Sequence, residues 1–319
     1  MYKLDKKDMD ILYQLDLDSR QSFNQIGKKI RASKEVVQYR VNQLENKGVI
    51  KGYQTLIDVS KLGYISGRFF LKLREDTPEQ EDKIVEYYKK HKKFWWVDQI
   101  SGGFRDLGLA CWVKDIYELY EIKEDLVSRF GSYINDLDIS SYCKFYVYNR
   151  KYLCNGKKEE RQIRVLFFPE LAEFDEKDLE ILRLIAGNAR MNFVEISKKT
   201  GISITNIGYR IKNMIKKSII KGFKVLIDLN KIGYYWYKIE MQLSDLSVKK
   251  QMFAYFKNHP NIVYAYETLS NNDIELELEV DSYEKFREVL DDIRKVFGKS
   301  IKKYHYFLWY KEHKFLFMP

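Results

Sequence analysis

The chain has 319 residues, 45% hydrophobic and 32% charged, with 56 Lys and Arg against 46 Asp and Glu for a formal net charge of +10. That length exceeds one small core and predicts two to four domains, and no apolar run reaches the roughly 18 residues a membrane-spanning helix needs. Cys111, Cys143 and Cys154 form no C-x-x-C pair and His91, His259, His305 and His313 are scattered, so neither a disulfide framework nor a metal site is expected.

Taken in chain order, Asp5 caps a first helix over Lys6–Leu15, with Met9, Ile11, Leu12 and Leu15 as its apolar face. Ser22 caps a short helix over Phe23–Ile30, and a tight turn at Arg31-Ala32 leads to an amphipathic helix from Ser33 to Lys47. Val37, Val41 and Leu44 recur at helical spacing, while Lys34, Glu35, Gln38, Tyr39 and Asn42 are left on the outer face. Gly48 ends that helix, and Val49–Val59 reads as a strand serving as a wing or an exit from the domain. Helix, short helix, tight turn and amphipathic helix is the helix-turn-helix plan, whose last helix enters the major groove.

From Arg68 to Tyr148 the pattern becomes strand, helix, strand, strand, helix, strand, the split ferredoxin-like order. A linker follows, with Asn155-Gly156, a mixed-charge run over Lys157–Arg164, the apolar Val165–Phe168 and then Pro169. The whole plan then recurs. Leu4–Leu73 aligns without a gap on Phe174–Leu243 with about a third of positions identical, and after an indel near the first helix of the ferredoxin-like segment Asp106 aligns with Asp273. A register held that long is a tandem duplication.

The motifs V-x-x-R-V-x-x-L-E-x-x-G-V-I (Val37–Ile50), G-Y-x-x-x-I-D (Gly52–Asp58), K-L-G-Y (Lys61–Tyr64) and G-x-x-D (Gly103–Asp106) make each half resemble a full-length member of the Lrp/AsnC family of regulators. The resemblance implies an α+β chain of two repeats, each a winged helix-turn-helix followed by a ferredoxin-like βαββαβ sensing domain. The expected boundaries are 1–60 and 174–230 for the winged helix-turn-helix units, 65–152 and 235–319 for the sensing domains, and 153–173 for the linker. It further implies double-stranded DNA as partner, an amino acid or other small molecule as effector, and self-association through the sensing domains. The two sensing domains of one chain are expected to pair as a built-in pseudo-dimer, since fusion raises their effective concentration.

On that reading Lys34, Glu35, Gln38 and Asn42 read bases, as do Thr205, Asn206, Tyr209 and Asn213, while Arg40, Lys51, Arg210, Lys212 and Lys221 hold phosphates. Tyr39 joins the first reading face, and Ser33 and Ser203 open the two recognition helices. The effector is expected at Gly102, Gly103, Asp106, Asn272 and Asp273. Gly208, inside the second recognition helix, is expected to cost about 1 kcal/mol against Ala. Arg31, where the turn favours glycine, is expected to reshape the first turn. Siroheme decarboxylases use the same scaffold, and a DNA-binding protein of little sequence preference would use it too. No clustered His or Cys supports catalysis, so no enzymatic activity, cofactor or metal is expected. The N-terminus Met1-Tyr2-Lys3-Leu4-Asp5 lacks the apolar core of a signal peptide, and a cytoplasmic location is expected from it.

Overall fold

The computed structural model describes residues 1–74, 78–154, 162–167, 170–316 and 318. The first head is α1 (Lys6–Leu17), α2 (Phe23–Ile30), α3 (Lys34–Asn46) and β1 (Ile50–Ile57). Its sensing domain is β2 (Ile65–Leu73), α4 (Pro78–Lys90), β3 (Phe94–Ser101), β4 (Leu107–Val113), α5 (Ile116–Phe130) and β5 (Ile134–Tyr148). A short strand β6 (Ile163–Leu166) precedes the second head of α6 (Glu176–Ala186), α7 (Phe193–Thr200), α8 (Ile204–Lys216) and β7 (Ile220–Ile227). A single helical turn, α9 (Leu229–Ile232), leads to β8 (Tyr235–Leu243), α10 (Lys249–Asn258), β9 (Ile262–Leu269), β10 (Ile274–Val280), α11 (Tyr283–Phe297) and β11 (Ile301–Phe315).

Local chemistry fixes the helix starts. Asp5 and Asp8 form a reciprocal capping box on α1, and Asp175 and Asp178 form the same box on α6. Ser33 accepts from the Val36 amide and Ser203 from the Asn206 amide, so both hydroxyls are caps. The first turn is not reshaped. Arg31 adopts the left-handed conformation at φ 54° and donates its amide to Gly27, as Gly201 does at φ 70° to Ser197. A side chain in that conformation costs on the order of 1 kcal/mol, which the first head tolerates.

Each sensing domain orders its strands as the ferredoxin-like plan requires: β5-β2-β4-β3 in the first copy and β11-β8-β10-β9 in the second. The two sheets then join twice, β3 to β11 and β5 to β9, both antiparallel. Because β2 also pairs with β5, the sheet closes on itself as a barrel, with β6 attached outside the ring to β5. The expected pseudo-dimer is therefore built within one chain. Outward-facing residues pack under the helices: Phe69, Leu71 and Leu109 against Leu119 and Leu126 in one copy, Ile239, Leu276 and Leu278 against Phe286 and Ile293 in the other.

The alternate residues point into the barrel and are strongly polar. Arg68 donates both terminal nitrogens to Glu275 at 2.6 and 2.8 Å, and Lys238 pairs with Glu275 at 2.8 Å and Glu277 at 3.2 Å. All four are fully buried. Burial disfavours the Glu275 carboxylate, yet Arg68 and Lys238 overcome it and hold its pKa well below the usual range. Aromatic rings fill the remainder, with Trp96 against Trp309 at 4.8 Å and Tyr142 against Tyr266 at 4.8 Å. Gly108 has no room for a side chain, since a Cβ there would lie 2.4 Å from Trp96.

The strand read as a wing or an exit is β1, which pairs with β7, antiparallel from Ile50↔Ile227 to Ile57↔Ile220. The strands are one ribbon between heads. Within the segment read as linker, the apolar stretch packs: Leu166 and Phe167 are buried, and the Phe167 amide donates to Asp58 at 3.0 Å. Residues 155–161, 168 and 169, read as linker, lie outside the described residues.

Candidate nucleic-acid interface

Helices α3 and α8 bury equivalent residues, Val37, Val41 and Leu44 in one and Ile207, Ile211 and Met214 in the other. Lys34, Glu35, Gln38, Tyr39, Asn42, Thr205, Tyr209 and Lys212 are exposed, while Asn206 and Asn213 are half-buried. The predicted reading residues thus share one open face on each head.

The predicted phosphate ligands fare differently. Arg40 donates to Asp5 at 2.7 Å and Asp8 at 2.8 Å, and Arg210 repeats this with Asp175 and Asp178 at the same distances. The hydrogen bond from Arg210 holds the Asp175 carboxyl below its ordinary pKa. Both arginines therefore tie the recognition helix to the cap of the first helix, a structural role in place of the expected phosphate contact. Lys51 is drawn toward the barrel by Glu312 at 2.8 Å. Lys221 lies 4.0 Å from the buried Asp58 and lines a cleft between the heads with Lys29 and Arg164. Of the five predicted phosphate ligands, Lys212 is exposed and makes no salt bridge among the described residues, and with Lys34 it turns a cation outward on the reading faces.

What sequence reasoning missed is how the heads are held together. Arg20 donates to the Ala189 carbonyl at 2.6 Å and the Met191 carbonyl at 3.3 Å, and Arg190 donates to the carbonyls of Ser19 at 2.5 Å and Gln21 at 3.2 Å. These are equivalent residues of the two copies, each clamping the other head. The signal was the identical register of the two arginines.

The predicted effector loops meet at one end of the barrel. Arg105 bonds Glu240 at 2.5 Å and Asp138 at 2.7 Å, and Asn272 donates to the other oxygen of Glu240 at 3.1 Å. Asp106 accepts from the Leu73 amide at 2.7 Å and Asp273 from the Leu243 amide at 2.8 Å. Both aspartates therefore hold strand ends, the first copy adding Lys72 at 3.1 Å. Gly102 and Gly103 take φ of 80° and 102°, which the turn needs and glycine gives at least cost.

At the barrel end facing the heads lies a cavity of about 620 Å³ lined by Lys51, Arg150, Trp236, Tyr264, Trp309 and Lys311 among others. Arg150 is held there between Asp16 of the first head at 2.7 Å and Glu279 of the barrel at 2.8 Å.

A family model described as winged helix-turn-helix DNA-binding matches residues 4–51 and 174–221. The HTH-type transcriptional regulator LrpA of Pyrococcus horikoshii is 31% identical over 128 residues, covering 40% of this chain and 87% of that protein. The chain belongs to the Lrp/AsnC family. It is a fused member, since the relative's length is spanned by well under half of the chain. The regulatory protein AsnC of Haemophilus influenzae is likewise 31% identical over 117 residues, covering 36% of this chain and 78% of that protein. Among solved structures, the siroheme decarboxylase NirDL matches 98% of this chain and 94% of its own, at a TM-score of 0.64 and 13% identity. That likeness is one of fold. It nevertheless overturns the expectation of a chain without enzymatic activity: an enzyme is built on this entire two-repeat architecture, both heads included.

Proposed function

We propose that this Lrp/AsnC protein is a sequence-specific DNA-binding transcription regulator that presents α3 and α8 to one duplex from a single chain. The carrying observation is the pair of recognition helices with open polar faces on two heads clamped together by Arg20 and Arg190. Lys34, Glu35, Gln38, Asn42 and Thr205 supply groups for base edges, and Lys212 supplies a phosphate contact. In this reading a small-molecule effector acts on the loops that converge at Glu240.

A second reading is favoured by the cavity. Its aromatic walls suit a flat ligand, its cations Lys51, Arg150 and Lys311 stand beside the carboxylates of Asp228, Glu279 and Glu312, and NirDL has been solved with an iron-uroporphyrin III analogue. The test is selection of bound duplexes from sheared genomic DNA at low and moderate salt, beside an absorbance titration with iron-uroporphyrin III. Phosphate contacts weaken steeply with salt whatever the sequence, whereas base readout keeps its ranking. A motif that survives the salt increase is the expected result. Loss of all duplex together with a shifted porphyrin band would transfer the assignment to tetrapyrrole chemistry.

A further inference from the structure

The two heads share the contacts that frame their recognition helices and differ in what those helices expose. Arg20 and Arg190 make reciprocal clamps, Arg40 and Arg210 make the same bonds, and β1 pairs with β7 across the pseudo-twofold. The backbone frame is therefore near-symmetric. Along the reading face the equivalent positions run Lys34 to Ile204, Glu35 to Thr205, Gln38 to Gly208, Tyr39 to Tyr209 and Asn42 to Lys212. Only the tyrosine is kept.

Those differences are chemical opposites at a groove floor. Gln38 offers the paired donor and acceptor that match adenine, and Glu35 accepts from cytosine. Gly208 offers no side chain at the position of Gln38. Ile204, 48% exposed at the start of α8, offers a methyl surface where Lys34 offers a charge. An exposed apolar group at the first turn of a recognition helix is suited to the thymine methyl.

From this we infer that the target is a composite site of two unlike half-sites in fixed order, the α8 half read through thymine methyls and the α3 half through hydrogen bonds to adenine and cytosine. The inference rests on the DNA-binding reading proposed above. It differs from binding to a palindrome, in which both halves would carry one motif.

The experiment is selection from a randomised duplex library with the full chain, repeated with Gln38→Ala and with Ile204→Ala. The expected consensus is non-palindromic. Gln38→Ala should relax preference by about 10- to 100-fold at one half-site and leave the other unchanged, and Ile204→Ala should relax only the opposite half. Circular dichroism checks the fold of both variants, which is expected to be kept because both positions are exposed. A palindromic consensus, or a variant that shifts both halves equally, would overturn the inference while leaving DNA binding intact. Failure to retain any duplex would overturn the functional reading and the inference with it.

Discussion

Replacing Arg68 by alanine is expected to destabilise the chain by about 3–5 kcal/mol, because it strips a buried carboxylate of its bidentate partner. Arg68 and Glu275 are both fully buried and belong to different copies. The pair therefore acts across the pseudo-dimer as well as within the barrel. The two lumen faces are complementary: the second copy contributes Glu275, Glu277 and Glu279 where the first has Gly108, Ala110 and Trp112 at the same register. Self-pairing of second halves would face carboxylates with carboxylates, so fusion joins halves that suit each other and not themselves. Urea denaturation measures the effect. Replacing both Arg68 and Glu275 by methionine should recover much of the loss, since an apolar pair of similar volume leaves no unpaired charge. A single-variant loss below about 1 kcal/mol, the range of exposed pairs, would show the lumen to be hydrated.

Arg150→Ala is expected to be as costly, again about 3–5 kcal/mol, and to separate the unfolding of the heads from that of the barrel. Arg150 bonds Asp16 through its backbone amide and its guanidinium, both at 2.7 Å, and Glu279 through two nitrogens at 2.8 Å. Asp16 also pairs with Lys224 of β7 at 3.1 Å, and Tyr152 donates to Glu279. One guanidinium thus joins the first head to the barrel, and Asp16 extends the link to Lys224 of the second head. Its removal leaves two buried carboxylates with fewer partners where the bodies meet. Thermal unfolding followed in parallel by near-ultraviolet signals of the barrel tryptophans and by far-ultraviolet helical signal should show two transitions in place of one. Coincident transitions in the variant would mean that the β1–β7 ribbon and the clamp arginines suffice to couple them.

The repeat, the caps and the order of elements were legible in the sequence because each rests on local chemistry. Ser33, Ser203, Asp5 and Asp175 sit where a helix must begin, and helical spacing identifies Val37, Val41 and Leu44. Closure of the barrel was not legible. The run Ile274-Glu275-Leu276-Glu277-Leu278-Glu279 alternates as a strand with one face in water, yet the ring turns its glutamates inward and buries them. Which carboxylate Arg40 would meet was likewise hidden. Asp5 and Asp8 are more than thirty residues away in sequence, and only the packing of α1 on α3 brings them to 2.7 and 2.8 Å. The same limit applies to Lys51 and Lys221, whose positions depend on β1 finding β7. The outward residues of α3 and α8 needed only helical phase to be placed, and they are the part of the candidate site the structure leaves open.

The most direct measurement is a hydroxyl-radical footprint of one chain on a selected duplex, with stoichiometry fixed by native mass spectrometry. Two reading heads held by the clamp arginines and the β1–β7 ribbon should give two protected stretches on the same face of the duplex, about one helical turn of 10–10.5 base pairs apart or a multiple of it, at one chain per duplex. A single protected stretch at that stoichiometry, or two stretches appearing only when a second chain binds, would contradict the claim that this chain carries both halves of a DNA-reading dimer.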